Sequence, residues 1–506
     1  MDAVSVLFAG GIGHNAYEKR FNGDSAFSLA IKKAASFKHT VKTVLLIDEN
    51  TIKEAIPQEI APKTICKDCW NVQNLLETLA EEANGLDFIY FAWADCPFLD
   101  EETAEKLSER HIRYAADYSY ADGWPAGLSP ELLSPSTPVF LAKINAGAED
   151  SVKRDSIFDV LQKDINSFDI EVEISPTDLR QYRLLLAADS KRNLLLLERF
   201  WSEGFKNIGD AGRIISEKPE LLRTLPAFYP IQVSGICPQK CVYCPFSKQE
   251  QKNTYMDPKN FSILLDKITE FSGDAVISLS LWGEIALHPQ KLSLINDVLR
   301  RKELSLVIES SGLGWKDSEL NEIKAAADMA LERTNKMPAL SFIVSLDSIN
   351  SDEYARIRGE GFDEAFAAAK KIAEIFGKNA YIQAMRFKGT ETEIEKFYRF
   401  WNSANVKTII QKYDDFCGKE PDLRAADFSP VQRHPCWHIM RDMPILIDGS
   451  VPQCRETSFE QRKGLNVFSD TLQDIWQDGR TLYAEHCNKT YLNLCNDCDE
   501  YWTYNF

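Results

Sequence analysis

Three cysteines near the middle of the chain restrict its fold more than any other feature. Cys237, Cys241 and Cys244 follow the short apolar stretch 228–233, which predicts a loop that leaves the end of a buried strand. Thiolates are soft ligands that select iron–sulfur clusters or zinc. Three thiols on one loop can hold three irons of a cubane cluster and leave the fourth iron open to an exchangeable ligand. Half of a zinc site remains the alternative interpretation.

The charge of the chain limits its partners. The 506 residues carry a formal net charge of -18, so the surface repels phosphate backbones, and we expect neither nucleic acid nor an anionic membrane as a partner. The first residues lack the basic segment and long apolar core of a signal peptide, and no apolar run is long enough for a membrane span. We therefore expect a cytoplasmic protein whose 12 cysteines are metal ligands or buried thiols rather than disulfides.

The first two hundred residues alternate strands and helices. The predicted strands are 4–8, 43–47 and 88–92, and the predicted helices are 25–36, 71–82 and 101–115. This alternation predicts an α/β domain with a mostly parallel sheet. The glycine-rich segment 9–13 either presents backbone N–H groups to a phosphate or holds structural turn glycines. Asp95 follows the strand 88–92, at the edge where ligands bind in open α/β sheets.

Two segments of this region, 93–100 and 174–179, resemble motifs of the GT-A-like nucleotidyltransferases, the group that includes the sugar cytidylyltransferases. The resemblance implies a Rossmann-like domain over residues 1–205 that binds a nucleotide, with Asp95 as a ligand of Mg²⁺. Ile174 stands where that group carries its second carboxylate, and a single carboxylate holds Mg²⁺ poorly. Nucleotidyl transfer, nucleotide binding without reaction and a docking role all stay open. A long helix over 178–201 and a linker over 206–224 are predicted to follow.

The central region repeats the alternation. Its predicted strands are 228–233, 275–281, 304–309, 340–345, 380–385 and 406–411. Six strands with intervening helices predict a partial (β/α)6 TIM-like barrel over residues 225–425. Active sites of parallel barrels lie at the carboxyl ends of the strands, and the cysteines stand at one such end.

The cysteine spacing, Tyr243 before the last cysteine and Gly283-Glu284 after the second strand resemble the radical S-adenosylmethionine (SAM) enzymes. In that family the open iron of a [4Fe–4S] cluster chelates the amino and carboxylate groups of SAM, and one electron cleaves it. The resemblance implies that Cys237, Cys241 and Cys244 hold this cluster. It also implies the cofactor contacts: Tyr243 against adenine, Gly283 and Glu284 on the amino group, Ser311 and Ser345 on the ribose, and Arg358 or Arg356 on the carboxylate.

Four further cysteines, Cys436, Cys454, Cys495 and Cys498, lie in the last seventy or so residues. Four thiols can fully ligate a second [4Fe–4S] cluster, and zinc is the competitor. The segment 426–506 resembles the SPASM/twitch extension of radical SAM enzymes, and the whole chain resembles the spiro-SPASM variant. This favours an auxiliary cluster. Cys417 and Cys487 are left over, with Cys487 as an alternative ligand.

The chain is thus interpreted as a radical SAM enzyme that removes a hydrogen atom from a carbohydrate-like or other small-molecule substrate. Modification of a peptide or protein is the alternative, as are nucleotidyl transfer and a non-catalytic binding scaffold. The resemblance implies an electron donor such as flavodoxin or ferredoxin.

Overall fold

The computed structural model describes residues 1–458 and 464–503 and divides into two compact units, Met1–Leu222 and Arg223–Phe506. The stretch 206–224 was predicted as a linker, but it is helical at Ile208–Glu217 and its residues up to Leu222 belong to the first unit. The predicted boundary at residue 425 falls inside the second unit.

The first unit is an α/β layer structure. Its strands β1–β7 are Ala3–Phe8, Thr40–Ile47, Lys63–Cys66, Phe88–Trp93, Tyr118–Asp122, Glu131–Leu133 and Ile170–Ile174. Its helices α1–α7 are Ala26–Ala35, Val72–Glu82, Glu101–Tyr114, Ser136–Ile144, Ser156–Leu161, Lys191–Ser202 and Ile208–Glu217. The strands form one sheet in the order β3-β2-β1-β4-β6-β5-β7, in which β6 is antiparallel to both of its neighbours and the other pairs are parallel. The prediction of a mostly parallel sheet is confirmed.

The long helix predicted over 178–201 is wrong in its first half. Arg183 has a φ of +48°, a left-handed conformation that an α-helix does not accommodate. The helix α6 begins only after Ser190, whose hydroxyl accepts a hydrogen bond from the backbone N–H of Asn193 at 3.3 Å. A serine in this position caps a helix start, and the apolar spacing of the sequence did not reveal it.

His111 lies on α3 and is buried in the first unit, with Nδ1 2.8 Å from Ser119 Oγ. Burial lowers the pKa of His111 to about 4. Between pH 6.5 and 4 the unfolded chain binds a proton here that the folded chain does not, so stability must fall as the pH falls through this window. We expect a loss of about 3 kcal/mol at pH 4, measured as the urea midpoint of the first unit against pH.

His111→Gln is the matched variant, since the amide keeps a partner for Ser119 but does not titrate. The difference in unfolding free energy between the wild type and the variant should no longer change with pH above pH 7. Subtraction is needed because burial also raises the pKa of Glu131 to about 7, which adds a slope of opposite sign. Equal pH slopes in the two proteins would contradict the prediction.

The second unit is built on a parallel sheet. Its strands β8–β13 are Phe228–Pro230, Ala275–Ser278, Leu304–Ser310, Leu340–Ser345, Ala380–Arg386 and Lys407–Lys412. Among its described residues, the helices α8–α17 are Pro258–Ser272, Lys291–Leu299, Asp317–Asp328, Ser351–Arg358, Phe362–Phe376, Glu391–Ser403, Trp437–Arg441, Leu472–Asp478, Arg480–Cys487 and Asn493–Asn496. The strands lie in the sequential order β13-β12-β11-β10-β9-β8, and every neighbouring pair is parallel. All six predicted strands are present, although β8 and β9 end earlier than expected.

Burial explains why this sheet could be recognised in the sequence. Ile277, Leu306, Phe342 and Ile382 lie on its central strands and are fully buried in one apolar core with the covering helices. Parallel strands buried on both faces carry nearly continuous apolar runs. Because the strands are parallel and consecutive, their carboxyl ends meet at one edge, where the polar residues collect. Within the described residues, no helix has the length and apolarity to cross a bilayer.

Candidate functional site

The three cysteines lie on the loop that follows β8. Cys241 is buried, and Cys237 and Cys244 are half-buried. The loop is tied to α11: the N–H of Lys240 donates to the carbonyl of Arg358 at 3.0 Å, and the N–H of Val242 donates to that of Ile357 at 2.9 Å. The backbone thus fixes the thiols at the carboxyl edge of the sheet.

The surroundings of these thiols suit a buried anionic ligand set. Burial raises the pKa of Cys237 to about 12 and that of Cys241 to about 11, while the nearby Arg358 acts in the opposite direction. A metal ion supplies the charge that such thiolates need on deprotonation. Cys237 and Cys244 pack against the apolar side chains of Phe246, Leu281, Trp282 and Phe416.

The donor set therefore fits an iron–sulfur cluster by its chemistry: soft ligands, a dry wall and one neighbouring cation. In the described part of the chain, no three His, Cys, Asp or Glu side chains are arranged together as a metal site. The roles of Cys237, Cys241 and Cys244 as ligands thus stay predictions.

A buried charged pair stands directly beside the cysteine loop. The hydroxyl of Tyr243 donates to Asp347 Oδ2 at 2.6 Å, and Arg358 Nη1 lies 2.7 Å from the same oxygen and 2.8 Å from the hydroxyl. The N–H of Met385 donates to Asp347 Oδ1 at 2.7 Å. This arrangement holds Tyr243 and Arg358, both predicted cofactor contacts, in fixed positions.

Arg358 has one N–H donor that no described residue accepts. Its Nε is buried and has no hydrogen-bond partner within the described residues, and the residue as a whole is only 5 % exposed. An unsatisfied buried donor is costly, and a carboxylate ligand would satisfy it. The prediction that Arg358 binds the SAM carboxylate is consistent with this donor. Arg356, the alternative, pairs with Glu353 on the surface of α11.

Glu284 is already fully engaged by the protein. Its carboxylate accepts hydrogen bonds from the hydroxyl of Ser310 at 2.8 Å and from the N–H and hydroxyl of Ser311 at 2.8 and 2.7 Å. Its own N–H donates to the carbonyl of Ile236 at 2.8 Å. Glu284 and Ser311, both predicted to contact SAM, thus bind each other here and link the loops after β8, β9 and β10. Their predicted contacts with the cofactor remain untested.

Gly283 has a φ of +79°, and a Cβ added to it would lie 2.0 Å from the carbonyl oxygen of Ser234. Ser234 lies on the segment that leads to Cys237, so Gly283→Ala must displace the cysteine loop. We expect a loss of about 1–3 kcal/mol in the unfolding free energy of the second unit, measured by denaturant titration.

Gly389→Ala is the control for this variant, because Gly389 has a similar φ of +86° with nothing within 4 Å of the added Cβ. It tests the cost of the backbone conformation without the clash. Equal destabilisation by the two variants would show that the close approach to Ser234 has no role.

Ser345 belongs to a second polar group at the same edge. Its hydroxyl donates to Glu309 Oε1 at 2.8 Å, and Gln383 Nε2 donates to the same oxygen at 2.7 Å. Ser345 was predicted to contact the ribose of SAM. In the structure it orients Glu309, a residue that the sequence had not singled out.

A cavity of about 560 Å³ lies in this unit. Phe228, Val307 and Ile343 give it an apolar wall, while Glu309 and Gln383 supply polar atoms. The region that follows β13 supplies the cysteines that line it, which are Cys417, Cys436, Cys454, Cys495 and Cys498. The four predicted ligands of a second metal site thus share one cavity, together with Cys417. Cys487, the predicted alternative ligand, packs among Leu482, Tyr483 and Tyr501.

In the first unit, Asp95 was predicted to bind Mg²⁺, but in the structure it forms an ion pair with Arg154. Asp95 is buried, and its two oxygens lie 3.2 and 2.5 Å from Nη1 and Nη2 of Arg154. The guanidinium supplies the positive charge that the metal would bring, so a Mg²⁺ ion would have to displace it. In the glycine-rich segment 9–13, the N–H of Gly11 donates to Asp48 Oδ2 at 2.6 Å, so this donor serves the protein itself.

The sequence had pointed to the neighbourhood of the missed residues but not to their contacts. Asp347 lies two residues after β11 and has a φ of +67°. As a polar residue at the end of a buried strand it was expected to reach the ribose of SAM, but its bonds to Tyr243 and Arg358 were not predicted. Glu309 is an acid near the end of the apolar strand β10, and this position is the signal that could have found it. For Cys417 no signal was present, because only the folded loop brings it to the other cysteines.

Comparison with known proteins supports the assignment of the second unit. Residues 231–400 match the model of the radical SAM superfamily. A protein of Treponema pallidum (strain Nichols), described as uncharacterized, is 35% identical over 360 residues, which cover 69% of this chain and 98% of the treponemal protein.

Two solved structures show weaker likeness. The crystal structure of Streptococcus suis SuiB bound to precursor peptide SuiA has 15% identity and a TM-score of 0.44, covering 69% of this chain and 82% of that one. A cytidylyltransferase from Leptospira borgpetersenii has 14% identity and a TM-score of 0.35, covering 44% of this chain and 96% of that one. At such low scores these likenesses support no conclusion about this chain. From the family match and the treponemal relative, the chain belongs to the same family as the treponemal protein and is a member of the radical SAM superfamily.

Proposed function

We propose that the protein is a radical SAM enzyme that cleaves SAM reductively at a [4Fe–4S] cluster held by Cys237, Cys241 and Cys244. One observation carries this proposal. The three thiols lie on a single loop at the carboxyl edge of the parallel sheet β8–β13, within the segment that matches the family. We take this sheet to be the partial (β/α)6 barrel expected from the sequence.

When bound, the cluster would supply the single electron that splits SAM into methionine and a 5′-deoxyadenosyl radical, which removes a hydrogen atom from the substrate. The residues of the chain would bind the cluster and orient SAM. The cysteine loop holds its position through backbone bonds to α11, and the apolar side chains of Phe246 and Trp282 keep water from the thiols. Exclusion of water protects a reactive intermediate from side reactions.

The carboxylate of SAM is assigned to Arg358. Its Nε lacks a partner within the described residues, while Asp347 holds the other side of the guanidinium. A charge-assisted hydrogen bond at this position would fix the amino acid end of SAM. Tyr243 is held by Asp347 and Arg358 through its hydroxyl, and its ring lies next to that of Phe387. Its contact with adenine is assigned from the family resemblance.

The second group of cysteines is assigned to an auxiliary [4Fe–4S] cluster with Cys436, Cys454, Cys495 and Cys498 as ligands, in a SPASM/twitch-type segment. These four thiols line one cavity, and burial raises the pKa of Cys454 to about 12. A bound metal would compensate the buried thiolates. The donor set alone suits zinc as well, so metal analysis is part of the test.

A small polar molecule is the proposed substrate. The auxiliary cluster would occupy the part of the cavity of about 560 Å³ that its cysteines line, and the part beside Glu309 and Gln383 is assigned to the substrate. Glu309 is held by Ser345 and Gln383 through one oxygen, which leaves the carboxylate able to accept hydrogen bonds from hydroxyl or amino groups. A carbohydrate-like molecule carries such groups together with C–H bonds for abstraction.

The test is anaerobic. Protein reconstituted with iron and sulfide is mixed with SAM and dithionite, and 5′-deoxyadenosine is quantified with and without panels of sugars, amino sugars and peptides. We expect formation of 5′-deoxyadenosine, with a rate that sugars raise above the uncoupled background. Stimulation by peptides alone would exclude the small-molecule assignment, and no 5′-deoxyadenosine under any condition would exclude the enzyme class.

For the first unit, we propose a GT-A-like module that binds a nucleotide-linked group without transferring it. Support comes from the ion pair of Asp95 with Arg154, which places a fixed cation where nucleotidyl transfer needs a metal. Incubation with CTP and Mg²⁺ should release no pyrophosphate above the level of Asp95→Asn. Release that depends on Asp95 would contradict this role.

A further inference from the structure

Arg433 and Arg455 both line the cavity of the second unit, but their charges are balanced differently. Arg455 pairs with Asp414 and Glu456. No carboxylate within the described residues forms an ion pair with Arg433. Because an arginine keeps its charge in proteins, Arg433 brings an unbalanced positive charge to the cavity.

Arg433 fixes the turn that carries two of the proposed ligands. Its Nη1 donates to the carbonyl of Asn496 at 2.9 Å, and its Nη2 donates to the carbonyl of Cys495. Both carbonyls lie at the end of the short helix α17, where they have no intrahelical partner, and an arginine near a helix end can bond them. Cys498 follows two residues after this helix. One guanidinium thus holds the segment of Cys495 and Cys498.

Two aromatic rings hold the guanidinium in place. It lies 4.3 Å from the ring centroid of Tyr491 and 4.5 Å from that of Tyr501, where the faces of the rings attract a cation. The carbonyl of Tyr501 accepts a hydrogen bond from the N–H of Trp437 at 2.8 Å, and Trp437 directly follows the proposed ligand Cys436. Arg433 is therefore connected to the segments that carry three of the four proposed ligands.

Polar atoms of the cavity lining remain unused in the part of the chain that the structure describes. The Nε of Arg433 is buried and has no hydrogen-bond partner there. His486 also lines the cavity, is 2 % exposed, and lacks a partner for both of its ring nitrogens. A buried donor without an acceptor is costly. An anionic group bound in the cavity would supply the acceptors.

We propose that Arg433 is a positioning residue of the second metal site, which holds the turn of Cys495 and Cys498 and balances the negative charge of the bound cluster. The inference rests on the proposed function, because it requires an auxiliary iron–sulfur cluster with four thiolate ligands. Reduction adds one more negative charge to such a cluster, and nearby positive charge and hydrogen bonds to its sulfurs favour reduction. Arg433 therefore raises the reduction potential of this cluster.

The experiment uses the full chain, reconstituted anaerobically and studied without SAM. Iron, sulfide and zinc are counted per chain, the midpoint potential of each cluster is measured by EPR-monitored titration, and the release of iron to a chelator is followed over time. For the wild type we expect about eight irons, four for each cluster. Arg433→Met removes the charge but keeps an apolar side chain. It should move one midpoint potential to a more negative value and release about half of its iron about 10–100-fold faster.

Arg433→Lys separates the charge from the hold on the turn. Lysine keeps the positive charge, but its ammonium lacks the planar fork that bonds two carbonyls between two rings. We expect faster release of about half of the iron from this variant as well, with both midpoint potentials close to those of the wild type. A purely structural role of Arg433 would not produce this difference between the two variants.

Two control variants make the result specific. Arg386 lies over the ring of Phe428 at 5.7 Å in the same unit and is half-buried, but it does not belong to the described lining of the cavity. Arg386→Met should match the wild type in iron content, iron release and potentials. Cys498→Ala should lose about half of the iron outright, which shows how loss of a ligand appears.

An unchanged potential in Arg433→Met would overturn the proposal, as would an equal shift in Arg433→Lys or in Arg386→Met. If Arg433→Met holds only one cluster, Arg433→Lys decides: two clusters with wild-type potentials support the proposal, and loss of the second cluster there too overturns it. A wild-type protein with only about four irons, with or without zinc, would overturn both this inference and the proposed second cluster, whereas the first cluster would stand.

Discussion

Replacement of any one of Cys237, Cys241 and Cys244 by alanine is expected to reduce 5′-deoxyadenosine formation to the level of a protein-free control. In the proposed site, three thiols are the whole protein ligand set of a cluster whose fourth iron must stay open, so no spare ligand can compensate. The iron content should fall by about half, since the C-terminal cysteines are proposed to hold a cluster of their own. Both quantities are measured on protein reconstituted in parallel with the wild type.

The controls separate loss of a ligand from loss of the fold. Cys66→Ala changes an exposed thiol of the first unit and should behave as the wild type. Circular dichroism and the urea midpoint of the second unit should be similar among variants without metal. If a variant at Cys241, the most buried of the three, retained both iron and turnover, its role as a ligand would be excluded.

The second large effect is expected at Asp347. Its side chain is 2 % exposed and that of its partner Arg358 is 6 % exposed. Asp347→Asn keeps the acceptor for Met385, and asparagine tolerates the left-handed backbone at this position, but it removes the charge that compensates Arg358. A buried charge without its partner costs about 3–5 kcal/mol. We expect a decrease of this size in the unfolding free energy of the second unit, measured by denaturant titration.

A double variant tests whether the unpaired charge of Arg358 causes the loss of unfolding free energy. Asp347→Asn combined with Arg358→Met removes both charges and should recover most of the lost stability, because an apolar side chain of similar length replaces the unpaired cation. It should not recover cleavage of SAM, since the assigned partner of the SAM carboxylate is gone. Additive losses in the double variant would contradict the ion-pair explanation.

The sheet of the second unit could be predicted because buried strands are short runs of consecutive apolar residues in the sequence. Strands such as β10 and β11 are buried on both faces and appear as short apolar runs, and the polar residues that follow them mark the functional edge. Where the backbone conformation of one residue determines the end of an element, the sequence predicts that end less well. Arg183 has a left-handed backbone conformation. It interrupts the segment 178–201, which the sequence had predicted to be one helix.

Contacts between distant segments could not be predicted. Asp95 was recognised as a ligand-edge carboxylate, but its partner Arg154 comes 59 residues later. Glu284 follows the expected strand, yet its carboxylate serves Ser310 and Ser311. Cys417 lines the same cavity as Cys498 only because the loop after β13 folds towards the C-terminal segment. Residue types and spacing indicate which groups reach an edge of a sheet, and packing decides which of them pair.

One iron of the first cluster is proposed to be left without a protein ligand so that SAM can bind to it. The most direct measurement is electron–nuclear double resonance of the reduced, reconstituted protein with SAM labelled by ¹⁷O in the carboxylate or ¹⁵N in the amino group. We expect a hyperfine coupling from each label in the wild type, because SAM then binds the open iron, and from neither in Cys241→Ala. Iron-loaded wild-type protein whose spectrum shows no coupling from either label would contradict this expectation.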